Sequence, residues 1–222
     1  MKCAAFVLAM VGCTPVDSNS IPTSEVRADI VVQATGTGKS TVTAWLTSHK
    51  DGDPPLNFES IRLIDGDQLT VATGGIATAM EGSNLVIGFR YTAAFATAAT
   101  DQRYEVTLDR GSDESAPHSF VTLPPPFTLD VPAFSRSTPT TIHWSGGSSD
   151  PVSLEVSGCA DAELGPLIDT GSAVVPALAA VGTCDVTITV IRTRAGTLDS
   201  AYGQGGSIVA EQRRTTIVST TP

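Results

Sequence analysis

Glu25-Val-Arg-Ala-Asp-Ile-Val-Val-Gln33 alternates with period two. Val26, Ala28, Ile30 and Val32 share one face, while Arg27, Asp29 and Gln33 take the other. That pattern is a half-buried β-strand, because successive side chains of a strand point to opposite sides. The pattern recurs downstream. In NLVIGFRYTA, Leu85, Ile87, Phe89 and Tyr91 fall inward and Arg90 outward. In RYEVTLDR, Tyr104, Val106 and Leu108 alternate with Glu105, Thr107 and Asp109. FESIRLI, DQLTVAT and SFVTL complete the first set. STVTAWLTS also reads as a strand, but its buried face stays open, since Trp45 opposes Val42, Ala44 and Leu46. Turn residues separate these runs at Gly36, Gly38, Asp65-Gly66, Gly74-Gly75, Gly82 and Gly111. About seven short strands in roughly 100 residues predict an immunoglobulin-like β-sandwich over 25–123.

Leu123-Pro124-Pro125-Pro126-Phe127 then interrupts the pattern. Consecutive prolines donate no ladder hydrogen bonds and hold the chain extended. Residues 124–126 read as a stiff spacer, and 127–222 as a second sandwich expected to fold alone. In that half Ile142 and Trp144 oppose His143, and Val152, Leu154 and Val156 oppose Ser153 and Glu155. Cys184, Val186, Ile188 and Val190 line up inward. SIVAEQRRTTIVST is long and charged in its middle, which predicts a bulge or an edge strand. The fold class is all-β, with at most one turn of helix near Val174–Gly182.

Composition excludes several function classes. Of 222 residues, 13 are basic and 23 acidic, a formal net charge of -10. Such a chain lacks the basic surface that phosphate backbones require, so nucleic acid is excluded as a partner. Anionic lipid would repel it, so attachment to a membrane must be covalent or hydrophobic.

Residues 1–12 combine one lysine with the apolar run from Cys3 to Gly12, the layout of an export signal. Thr14–Ser24 is polar and proline-containing, and reads with Cys13 as a flexible tether over 13–24. Ala9-Met10-Val11-Gly12-Cys13 resembles the lipobox of bacterial lipoproteins, with Met10 standing where leucine is usual. The resemblance implies that Cys13 becomes the lipidated N-terminus and that a lipid anchor ties the protein to the membrane. Thr14 after the cysteine implies the outer membrane rather than inner-membrane retention. Cys3 would leave with the signal and Cys13 would carry lipid. Cys159 and Cys184 then remain, and in an exported chain an even remainder predicts a disulfide. Cys159 follows one strand and Cys184 begins a later one, so antiparallel pairing would bring them together. The C-terminal half also resembles uncharacterised bacterial lipoproteins. It does so through Leu123–Phe127, Ser135-Arg136, Trp144, Asp150-Pro151, Cys159, Asp169-Thr170-Gly171-Ser172, Cys184 and Arg192-Thr193-Arg194. That resemblance implies an anchor and a layout, and no activity.

Motifs for chemistry are sparse. Thr35-Gly-Thr-Gly-Lys-Ser-Thr41 imitates a phosphate-binding loop, but Gln33 stands where its first glycine belongs. A strand, not a helix, follows it. It reads as a hairpin turn, and no nucleotide is expected. His49, His118 and His143 are scattered and show no metal-ligand spacing. Asp51-Gly-Asp53 and Asp65-Gly-Asp67 lack the spaced ligands of a calcium loop. No catalytic residue, cofactor or metal site is assigned. The loops Phe95–Ala99 and Ala201–Gly206 are where such a domain would carry recognition. The reading is a non-enzymatic envelope module, binding or structural, with an unknown protein or glycan partner. A carbohydrate-binding or hydrolytic accessory protein ranks second. Sugar sites stack on exposed aromatics, whereas Trp45, Trp144, Tyr91, Tyr104 and Tyr202 fall mostly on core-facing parities.

Overall fold

The computed structural model describes residues 15–48, 59–85, 88–111, 113–159, 161–178 and 183–221. Cys13, the export signal, His49 and the Asp51–Asp53 turn lie outside them. The first half holds β1 (Val16–Asp17), β2 (Val26–Ala34), β3 (Ser40–Ser48), β4 (Glu59–Arg62) and β5 (Gln68–Thr73). It continues with β6 (Ile76–Ala79), β7 (Glu81–Asn84), β8 (Phe89–Phe95), β9 (Arg103–Asp109) and β10 (Ala116–Thr122). The second half holds β11 (Leu129–Asp130), β12 (Phe134–Ser135), β13 (Thr140–Trp144) and β14 (Val152–Gly158). β15 (Ala162–Leu167), β16 (Ser172–Val175), β17 (Cys184–Ala195) and β18 (Gly206–Thr221) complete it. The fold is all-β, and its helical content among the described residues is two short 3-10 turns at Ser18–Ser20 and Thr23–Glu25.

One large sheet runs through both halves in the order β1-β4-β3-β2-β18-β17-β14-β15, with β8 on β3 and β7 on β8. A four-stranded sheet (β10-β9-β5-β6) and a three-stranded sheet (β11-β13-β16) are separate from it. Two cores result. The first joins Ile30, Val42 and Tyr91 of the large sheet to Leu69, Tyr104 and Val106 of the four-stranded sheet. The second joins Leu154, Ile188 and Val190 to Ile142, Trp144 and Val175. Both cores lie on the same face of the large sheet. Along β18, Ile208, Ala210, Gln212, Arg214, Val218 and Thr220 have one parity; Ile208 and Ala210 enter the first core, and Val218 packs on the second.

The period-two reading holds for β2, where Val26, Ala28, Ile30 and Val32 are buried in strict alternation. It holds too for Tyr104, Val106 and Leu108, and for Ile142 and Trp144 against exposed His143. In β3 the buried face is Val42, Ala44 and Leu46, so Trp45 points to solvent. This fixes the β3 face that the sequence left open. Tyr91, Tyr104, Tyr202 and Trp144 are buried as expected. The Tyr91 hydroxyl accepts from the Leu63 amide and donates to the Ile61 carbonyl, and burial pushes its pKa up to about 12.

Four expectations are corrected. NLVIGFRYTA is not one strand. It turns back at Gly88, whose positive φ closes a Leu85–Gly88 turn, and β7 pairs with β8 as a hairpin. Leu85 is accordingly exposed. SIVAEQRRTTIVST is not bulged, and it is an edge only from Arg213 to Ser219, where β17 is its one strand neighbour among the described residues. β18 pairs with β17 in unbroken register from Val209 to Thr220, and with β2 in parallel from Gly206 to Gln212. Its mid-strand charges mark the passage from one core to the other. The third correction concerns Thr14–Ser24. From Val16 onward this stretch is docked: β1 lies parallel to β4, and Ile21 is buried in the first core. Arg110 fixes it by donating to the Ser18 and Ile21 carbonyls while its guanidinium sits 2.6 Å from buried Asp67. Finally, the second stretch returns to the first core. Tyr202, Ile208 and Ala210 pack among residues of 21–123, although they follow the proline spacer in sequence.

Cys159 and Cys184 form a disulfide, with Cα atoms 6.4 Å apart. β14 and β17 bring them together as expected, pairing Gly158 with Val186. Cys184 is half-buried and Cys159 exposed, so the bridge closes the sheet's end rather than lying in the core. The bridge closes a 25-residue separation, for which chain entropy predicts about 3 kcal/mol. Cys184→Ser should lower stability by about that amount. Mass spectrometry without reduction should find the Cys159–Cys184 cross-link, and two alkylatable thiols would contradict it.

Candidate functional site

The proline spacer is the first place where chemistry-bearing side chains converge. An extended proline run offers carbonyls but no N–H groups. Arginines meet these carbonyls at alternate residues. Arg194 Nη1 donates to the Leu123 carbonyl at 3.3 Å, Arg192 Nη1 to Pro125 at 2.6 Å, and Arg214 Nε to Phe127 at 2.9 Å. β17 and β18 supply these arginines on one face, since Val190 pairs with Arg214 and Arg192 with Gln212. The Phe127 ring lies 4.9 Å from the Arg192 guanidinium carbon and 5.2 Å from that of Arg214, within cation–π range.

Carboxylates close the seam. Asp169 is 2.6 Å from Arg192 Nη2 and accepts from Trp144 Nε1 at 2.7 Å, and both charged side chains are almost fully buried. Arg192 Nη2 also donates to the Ser145 carbonyl at 3.0 Å. Asp150 accepts from Arg194 Nε and Nη2, each at 2.8 Å, and from Ser148 Oγ at 2.6 Å. Burial raises the Asp150 pKa, but the bonds from Arg194 and Ser148 outweigh it and hold the carboxyl below the usual aspartate range. Arg194 reaches Asp101 at 2.7 Å as well, across to the first half. Burial and the charge of Arg192 push Arg214 down from its ordinary value. The Thr35–Lys39 turn is the expected β2–β3 hairpin, and it abuts this seam. A Cβ on Gly36, whose φ is +88°, would lie 2.8 Å from Arg214 Nε.

Trp144, Asp150, Asp169, Arg192 and Arg194, scattered in sequence, are therefore neighbours in one ion-pair network. Arg136 is also buried, but its guanidinium has no hydrogen-bond partner among the described residues. The network's arginines and carboxylates pair with one another and with the backbone, apart from Arg192 Nε, which is buried without a hydrogen-bond partner among the described residues.

The second convergence is on the outer face of the large sheet. Register places its outward side chains in rows. Thr41 stands between Gln33 and Ala94; Thr43 stands between Val31 and Thr92, with Glu81 beyond Thr92. The next row holds Asp29 beside Trp45, and Ser83 beside Arg90. Ala44 pairs with Tyr91, so Trp45 and Arg90 are adjacent outward positions on β3 and β8. A groove of about 520 Å³ opens over this face, lined by Thr41, Thr43, Thr92, Glu81 and Arg90 and walled by Thr78 of β6. Neither Glu81 nor Arg90 has a side-chain partner among the described residues, and Arg90 Nε is buried without one. Trp45 is 37% exposed. Beside it Asp29 pairs with Arg27 at 2.8 Å and accepts from Ser207 Oγ at 3.1 Å.

The residues singled out from sequence lie elsewhere. Cys159 and Cys184 are far along β14 and β17 from the groove, and Cys13 is outside the described residues. His118 lines a smaller pocket of about 180 Å³, where Arg103 pairs with Glu105 and stacks 3.7 Å above Phe120. Asp67 of the Asp65–Asp67 turn is held by Arg110. Among the described residues there is no cluster of three metal-ligating side chains. Sequence reasoning missed the groove because the β3 face was undecided; the outward threonines at 41, 43 and 47 were the available signal.

No family model matches the chain. No curated protein matches it. Among solved structures, one from work on host cell surface retention of a 1.5-MDa bacterial ice-binding adhesin is 12% identical. The match covers 88% of this chain and 65% of that one, with a TM-score of 0.25. At that score the likeness carries no argument.

Proposed function

We propose that the chain is an envelope lipoprotein, anchored through Cys13, that acts as a non-enzymatic binding or structural module. Its two cores are read as tandem immunoglobulin-like sandwiches joined by a shared sheet. The observation that carries this reading is the seam: the charged residues it buries hold the spacer and the sheets together. Asp67, Asp150 and Asp169 are each ion-paired with an arginine. Among the described residues no helix is long and apolar enough to cross a membrane; the anchor in this reading is the lipid on Cys13.

The docked N-terminal stretch sets the leash. Three peptide units separate Cys13 from Val16, which pairs with Ile61. They reach at most about 10 Å. In this reading the first core sits close against the bilayer, and the outer-membrane location follows the Thr14 expectation. A palmitate analogue fed to expressing cells should label the protein, and Cys13→Ser should abolish the label. Label that survives the substitution would remove the anchor from this account.

A second reading, carbohydrate binding, is favoured by the exposure of Trp45, the feature that separates it from a pure spacer.

A further inference from the structure

We propose that the groove over β3, β8 and β7 binds a neutral glycan, with Trp45 as its stacking platform. This rests on the binding-module reading above and gives it a ligand class. The groove's volume falls within the range of small-ligand sites, roughly 300–1,000 Å³. Its lining mixes hydroxyls with small apolar side chains: Thr41, Thr43, Thr78 and Thr92 alternate with Ala79, Ala93 and Ala94. Each threonine hydroxyl both donates and accepts, as a sugar hydroxyl does.

The two charged groups narrow the class further. Glu81 offers acceptors and Arg90 donors, and neither side chain is engaged by a partner among the described residues. A strongly anionic ligand would meet the Glu81 carboxylate, and a strongly cationic one the guanidinium. A neutral polyol satisfies both. Arg90 Nε, buried and without a partner, gains an acceptor when the groove fills.

Trp45, beside the groove rather than among the residues that line it, supplies the large apolar face. It lies two residues from Thr43 on the same side of β3, a step of about 7 Å. Its ring is amphipathic, and Trp is the residue type most enriched where binding energy concentrates. The C–H face of a pyranose is the complementary surface. Asp29, Arg27 and Ser207 continue the polar row beyond the ring, so a chain longer than one sugar finds hydrogen-bonding groups on both sides of the platform.

The test uses the full chain in affinity electrophoresis through gels containing four neutral polysaccharides: a β-glucan, a galactomannan, a xylan and glycogen. At least one should retard the protein. Trp45→Ala should weaken that retardation roughly tenfold or more, and Thr43→Val, which removes a hydroxyl at nearly constant shape, should weaken it several-fold. Both residues face outward, so thermal melting should confirm that each variant stays folded. Binding should also alter the Trp45 emission, while Trp144, buried against Asp169, stays unchanged. Migration unaffected by all four polysaccharides, or equal retardation of Trp45→Ala and the parent chain, would overturn the glycan assignment. Neither result touches the anchor, which labelling at Cys13 tests separately, nor a protein-binding role, which capture from envelope extract tests.

Discussion

Arg192→Ala should destabilise the protein by about 3–5 kcal/mol, the cost of removing one partner from a buried ion pair. The guanidinium is held on three sides: by the Asp169 carboxylate, the Pro125 carbonyl and the Ser145 carbonyl. Truncation leaves Asp169 buried with the Trp144 indole and the Ser148 amide as its remaining donors. It also frees the middle of the spacer, because Pro125 has no N–H with which to compensate. For a chain of this length the midpoint of thermal unfolding should fall by roughly 10 °C. Arg194→Ala should cost less, since its side chain is partly exposed and Asp101 is mostly in solvent. A melting temperature unchanged in Arg192→Ala would mean that the seam does not hold the two halves.

The larger effect is expected from cutting the chain at the spacer. Residues 1–123 contain most of the first core and every strand of its smaller sheet. They lack β18, however, which is the parallel neighbour of β2 from Ala28 to Ala34. They also lack Tyr202 and Ile208, and burying a large apolar side chain contributes about 1.5–3 kcal/mol. The cut removes those two contributions and leaves the strand ladder of β2 open on one side. Against a typical net stability of about 5–15 kcal/mol, that loss consumes most or all of the margin. The complementary piece, 127–222, would expose the Gly206–Gln212 half of β18 as an unpaired edge. The whole chain should therefore fold as one unit, not as two that fold alone.

Much of the architecture was legible along the chain. Strict alternation identified β2, β9, β13 and β14, because each has one face on a core and one in solvent. The Cys159–Cys184 pairing was legible because strand ends and the cysteine count pointed the same way. Three features were not, and each has a local reason. In NLVIGFRYTA the apolar run conceals a turn, and Gly88 reads as an interior glycine until its φ is known. In β18, Arg213 and Arg214 look like edge-strand charges; Arg214 faces a spacer 87 residues away in sequence, a partner no local pattern names. In β3, small and large side chains alternate with too little contrast for parity to pick the buried face. That ambiguity hid Trp45, and with it the groove. The ion-pair network shows the same limit: its members were visible as separate short motifs, but their convergence on the proline carbonyls depends on three sheets meeting.

The claim at the centre of this account is that β18 is shared by both cores. Calorimetry of residues 1–123 beside the full chain tests it most directly. The full chain should give one cooperative endotherm and 1–123 alone none. A fragment 1–123 that melts cooperatively near the temperature of the intact protein would contradict it.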